Sequence, residues 1–230
     1  MFLFDPTYLC FMLPAFLLMG ITSWYVRSSY RKWSQVRVSS GLTGAQAAER
    51  LISSGGLYGV QVAGTRGELT DHYDPRDKTL YLSQSVYQAP SIAAVAVAAH
   101  ELGHAQQDAE GYFPMRVRSF LVPAVNIGSY LGWILIFLGM LLRITQLSWL
   151  GVIVFSAGAL FALATLPVEL NASSRAKELL STTGIIRTEE ERSGVNRVLN
   201  AAALTYVAGL ITAILQLLYF VTLVGGGRRR

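Results

Sequence analysis

The chain has 230 residues, 52% of them apolar and only 14% charged. Soluble domains carry roughly 25% charged residues, so this composition excludes an ordinary soluble enzyme and points to a membrane protein. The formal net charge of +5 fits basic residues flanking apolar spans rather than a nucleic-acid footprint. A single cysteine, Cys10, excludes an intramolecular disulfide and leaves any metal to histidine and carboxylate.

Four segments carry no charged residue: 6–26, 119–142, 144–168 and 198–227. Each is long enough for a helix across about 30 Å of hydrocarbon, which takes about 20 residues. The first is expected as a retained span, since residues 1–5 lack a basic n-region and no small-residue cleavage site precedes Arg27, Arg31 and Lys32. Trp24 and Tyr25 suit the membrane interface. Residues 27–118 then read as a polar domain. Thr43 and Gln46 are spaced for a capping box opening a helix over 43–53, and Gly55 and Gly56 for its end. Segments 58–64, 69–73 and 79–83 read as strands, the last two joined by the turn Asp74, Pro75, Arg76, Asp77. An edge of that sheet could accept an extended peptide; packing on the next helix is an equally good use of it.

That helix is capped by Ser91 and enters through the alanine-rich run 92–99 into His100-Glu101-Leu102-Gly103-His104. Residues four apart share a helix face. Both imidazoles can therefore meet one metal ion, with Glu101 in reach of a water on it, the two-ligand-plus-base pattern of zinc metalloproteases. Gly103 keeps the face between the ligands small. The apolar run is only eight residues, and Gln106, Gln107 and Asp108 follow the motif. That is too short and too polar for a motif inside the bilayer.

Arg143 alone separates 119–142 from 144–168, which predicts a tight helical hairpin, with Pro167 closing the third span. Glu169 follows at once, on a polar helix expected to reach Ser181 and to end at Gly184. Thr188 and Glu191 form a second capping-box pair, opening a helix through Asn200 into the fourth span. Glu189, Glu190 and Glu191 suit a helix N-terminus electrostatically and take no catalytic role. The tail 225–230 reads as disordered. The expected organisation is an N-terminal transmembrane helix (1–26), a polar catalytic domain (27–118), a transmembrane hairpin (119–168), a polar helical segment with the third metal ligand (169–197), and a last transmembrane helix with a basic tail (198–230). Segments 27–118 and 169–197 hold ten and five Lys/Arg, fifteen of the nineteen. The positive-inside rule then puts the motif on the cytoplasmic face, with the three tail arginines as the dissenting feature.

A catalytic zinc takes three protein ligands and keeps a fourth position open. His72 is the one histidine outside the motif, so the third ligand is either His72 or a carboxylate. Glu169 is the natural carboxylate: the four-span count puts it on the side of His104, and it begins a helix where a carboxylate has no lipid-facing purpose. Asp108 shares the face of His104 one turn further on, and Glu110 is also near. The expected reaction has zinc lowering the pKa of a water from 15.7 to roughly 7, with Glu101 taking its proton and passing it to the leaving amine. Arg175, Tyr206 and His72 are candidate donors to the oxyanion or partners of the ligands, and spacing does not rank them.

The stretch Ala99-His100-Glu101-Leu102-Gly103-His104-Ala105-Gln106-Gln107, the later Leu-Pro-Val-Glu-Leu-Asn-Ala-Ser-Ser-Arg-Ala at 166–176, and Val-Leu-Asn-Ala-Ala-Ala-Leu-Thr-Tyr-Val-Ala at 198–208 resemble the YugP-type family of bacterial membrane zinc metallopeptidases. The likeness covers nearly the whole chain. In the more distantly similar HtpX-like and CAAX prenyl membrane proteases, a glutamate after a later span is the third zinc ligand, which implies that role for Glu169. Those relatives usually place an aspartate four residues further on. Ser173 stands there in this chain, so the groups around the ligands must differ. The fold expected is mainly α, about four transmembrane helices plus a small α+β, zincin-like (gluzincin-like) catalytic domain. The function expected is a multi-pass zinc metalloendopeptidase of the bacterial cell membrane, with one zinc ion, acting on peptide or membrane-protein substrates and not on nucleic acid. The alternative is a non-catalytic zinc-binding scaffold or partner of a membrane complex. Glu101 argues against it, because a structural site needs no base and closes all four positions with protein ligands.

Overall fold

In the computed structural model, which describes residues 6–226, the elements run α1 (Pro6–Ser34), α2 (Gly44–Ser54), β1 (Gln61–Thr65), β2 (His72–Asp74), β3 (Thr79–Ser83), α3 (Gln84–Gln88), α4 (Ile92–Ala109), α5 (Phe113–Leu141), α6 (Thr145–Thr182) and α7 (Glu189–Gly226). Four of these helices, α1, α5, α6 and α7, are long and apolar enough to cross a membrane; α1 contains the first charge-free segment, and α5, α6 and α7 each cover all but one residue of theirs. Of the tail expected to be disordered, Gly225 and Gly226 end α7, and 227–230 lie outside the described residues, as do 1–5.

The chain divides into two compact units. The first comprises Met1–Thr22, Phe113–Pro167 and Thr205–Arg230. Here α5 and α6 form the expected hairpin, turned at Arg143 in the left-handed region (φ +58°), where the Ile144 N–H bonds the Gly139 carbonyl at 2.8 Å. Small residues let the two backbones approach: a Cβ on Gly132 would stand 2.8 Å from the Phe155 Cβ. Such contacts replace the hydrophobic drive that lipid does not supply between helices. Trp133, Phe155 and Phe220 add an edge-to-face aromatic knot, Trp133 lying 4.7 Å from Phe220 between ring centroids. Phe120, Ile127, Tyr130 and Leu141 stand fully open on the surface of α5, which in water would be a large unpartnered apolar patch.

The second unit comprises Ser23–Tyr112 and Val168–Leu204. Its sheet has the order β1-β3-β2, with β1 parallel and β2 antiparallel to the central β3. Leu80 and Leu82 of β3 are fully buried, as are Ile92, Val95 and Leu102 of α4, and all belong to one core. The alanines of α4 leave the helix slim enough for neighbours to pack closely around it, and Ser91 caps it by accepting the Ala94 N–H. The strand-like segment before α2 reaches α4 as well: Val38 and Ile92 donate to the Pro90 and Val36 carbonyls. Both expected capping boxes form. Thr43 and Gln46 exchange bonds at the start of α2, and Thr188 and Glu191 at the start of α7.

Three local expectations shift. The first strand begins at Gln61 rather than 58 because Gly56 and Gly59 turn the chain at φ +66° and +103°. The second is cut to 72–74 by Gly67 and Leu69, both at positive φ. Pro167 does not close the third span: α6 runs through it to Thr182. Proline removes one helical hydrogen bond and crowds one carbonyl, a local cost that a helix of 38 residues sustains.

Candidate metal centre

Two helices of the second unit build the site. α4 carries His100, Glu101 and His104, and α6 carries Glu169 in its interior. Glu169 Oε2 lies 3.2 Å from His100 Nε2 and 3.5 Å from His104 Nε2. His100, His104 and Glu169 can each turn one ligand atom to a common point, all within 4.8 Å of one another. Ligand atoms at about 2.0–2.1 Å from one tetrahedral zinc sit about 3.3 Å apart, close to both separations. The donor set of two imidazoles and a carboxylate, with no thiolate, suits zinc. Were these three residues to hold a zinc ion, one position of a tetrahedral site would remain for water or substrate.

The approach of the helices depends on Gly103. A Cβ there would stand 2.6 Å from the Ala172 carbonyl oxygen, so only glycine lets α6 come this close between the two histidines. Each histidine is also held from behind. His100 Nδ1 meets the Ser173 hydroxyl at 3.2 Å. His104 Nδ1 meets the side-chain oxygen of Gln107 at 3.0 Å. Burial alone would lower the His104 pKa; the Glu169 hydrogen bond and the Glu101 charge outweigh it and hold the imidazole above its ordinary value. The pocket is therefore one that draws positive charge, as a metal-binding site must.

Glu101 is buried, with 9% of its surface exposed, and its side chain makes no hydrogen bond or ion pair among the described residues. Arg175, His72 and Asp108 are engaged with other partners. Arg175 turns its guanidinium on Glu110 in a bidentate pair at 2.7 Å and gives its Nε–H to Asn171. It does not pair with Glu169. His72 is exposed on β2, bonded to the Thr70 carbonyl and stacked on Tyr81, and is not one of the three clustered ligands. Tyr206 lies on α7 in the first unit. Asp108 accepts the Tyr73 hydroxyl at 2.9 Å, and burial together with that bond raises the Tyr73 pKa. Sequence reasoning did not assign a role to Gln107 or Asn171. The signal for Gln107 is its spacing, three residues after His104 and so on the same face.

The family described as “Putative neutral zinc metallopeptidase” matches residues 8–225. The chain is also similar to the “Putative membrane protease YugP” of Bacillus subtilis (strain 168), at 47% identity over 213 residues, covering 91% of this chain and 94% of that protein. No solved structure matches.

Proposed function

The chain belongs to the neutral zinc metallopeptidase family, and from that premise we propose that it is a membrane zinc endopeptidase in which His100, His104 and Glu169 hold one zinc ion and Glu101 is the general base. The observation that carries this reading is Glu101, a buried carboxylate beside the ligands, without a protein partner among the described residues. A group placed there for structure would be bonded, because an unsatisfied buried carboxylate is costly. One placed to take a proton must be left open.

A zinc ion at these ligands supplies the charge that acidifies water and polarises a peptide carbonyl. The chain's own residues do the rest. Glu101 accepts the proton of the attacking water and returns it to the leaving amine. Glu169 balances the positive charge and keeps both Nε2 atoms turned inward. Gly103 sets the spacing of α4 and α6. We read the second unit as a zincin-like catalytic domain of the gluzincin type, with a carboxylate as third ligand. Its substrates on this reading are peptides or segments of membrane proteins. The Lys/Arg count supports a cytoplasmic site.

The test is cleavage of an unfolded protein such as casein by the detergent-purified chain. Cleavage that stops on chelation and returns with zinc is expected. Cleavage that chelation leaves untouched, or none by zinc-loaded protein on unfolded and membrane-protein substrates alike, would contradict it.

A further inference from the structure

Gln107 is fully buried on α4, one turn beyond His104. A buried primary amide is kept only when its hydrogen-bonding groups are filled, and here they are. Its nitrogen donates to the Val168 carbonyl at 2.8 Å and to Asn171 Oδ1 at 2.9 Å. Its oxygen faces His104 Nδ1 at 3.0 Å.

The direction of every bond in this group follows from chemistry. Arginine only donates, so Asn171 must present its oxygen to Arg175 Nε, 2.7 Å away. A backbone carbonyl only accepts. Both neighbours at one end of the Gln107 amide are therefore acceptors, and that end must be the NH2 group. The opposite end is then the oxygen, which only accepts, so His104 must carry a proton on Nδ1. In the neutral ring this leaves the lone pair on Nε2, the atom 3.5 Å from Glu169 Oε2. His100 has no such constraint, because the Ser173 hydroxyl can donate or accept.

We propose that Gln107 is a positioning residue of the metal centre: its oxygen fixes His104 with the proton on Nδ1 and Nε2 turned to the metal, and its NH2 ties α4 to the turn of α6 that carries Glu169. The inference rests on the metallopeptidase reading above and adds to it the residue that sets the ligand tautomer. Both partners of the imidazoles, Gln107 and Ser173, are neutral, so the ligands do not gain the basicity that a carboxylate partner confers.

Two substitutions separate the two tasks. Gln107→Leu removes both. Gln107→Glu keeps an acceptor for His104 Nδ1 and loses the donors to Val168 and Asn171. The full-length protein, stripped of metal in detergent, is titrated with cobalt, read by its visible spectrum, and then with zinc in competition. Gln107→Leu is expected to bind roughly 10- to 100-fold more weakly, with an altered cobalt spectrum, and Gln107→Glu to recover most of the affinity. Thermal melting of the metal-free proteins is expected to fall for both. Leu binding as tightly as wild type would overturn the inference alone, and so would equal losses for Leu and Glu, which would make Gln107 a packing residue only. Failure of the wild type to take up either metal would overturn the metallopeptidase reading and this inference with it.

Discussion

His100, His104 and Glu169 make a candidate centre because their ligand atoms converge, all within 4.8 Å of one another. The carboxylate is almost fully buried, at 2% exposure, and burying such a charge without compensation is prohibitive. Glu169→Gln keeps the volume and removes the charge. Zinc affinity should fall by well over about 100-fold, since loss of a ligand's hydrogen-bond partner alone costs 10- to 100-fold. Metal analysis after dialysis checks this; a full complement of zinc in the variant would remove Glu169 from the ligand set. At this scale the sequence was informative where chemistry has a short signature. The H-E-x-x-H spacing pointed to the two clustered histidines and to the proposed base within five residues. Glu169 needed a topological argument, because 64 residues separate it from His104 in the chain. Gln107 was hidden because a glutamine on a polar-looking turn reads as solvated, and only packing of α6 over it makes it interior.

At the scale of elements, the site is a contact between α4 and α6, and Gly103 sets its closeness. Gly103→Ala would put a Cβ into the Ala172 carbonyl at 2.6 Å. Overpacking of this kind costs about 1–3 kcal/mol, and the helices should part enough to separate Glu169 from the histidines. The expected result is a lowered melting temperature with a still larger loss of zinc affinity; unchanged affinity would mean that the centre tolerates a wider helix spacing. Glu191 makes a second test. Its carboxylate accepts N–H groups from Ser39, Arg187 and Thr188, tying the loop before α2 to the start of α7. Glu191→Ala should cost about 1.5–3 kcal/mol, the range for bonds to a charged group, measured by thermal unfolding, with zinc affinity unaltered once folded. A loss within error of zero would show these bonds to be dispensable. The capping boxes, the motif helix and β3 were legible because short-range rules specify them. The parallel pairing of β1 with β3 was not, since register between distant segments leaves no local mark. α3 was missed because five residues are too few to show a period. The passage of α6 through Pro167 was missed because a long helix sustains a broken bond that a short one would not.

At the scale of the molecule, the composition determines the setting. Four helices are long and apolar enough to span a bilayer, and extraction at high pH should leave the protein in the membrane fraction. The proposed orientation rests on the fifteen of nineteen Lys/Arg in two polar segments. In a Cys10→Ser background, Arg143→Cys should react with an impermeant maleimide on intact cells, and Tyr58→Cys, which is highly exposed, only after permeabilisation. The reverse pattern would place the site on the outer face. The central claim, that this chain hydrolyses peptide bonds with a metal and Glu101, is tested most directly by a pair of proteins. Wild type and Glu101→Gln are purified in detergent, their zinc is measured, and both are given unfolded casein. About one zinc in each, with cleavage by the variant reduced roughly 100- to 10,000-fold, the usual contribution of a general base, is the predicted result. Equal cleavage by the two, or a clean wild type that neither holds nor takes up zinc, would contradict the account.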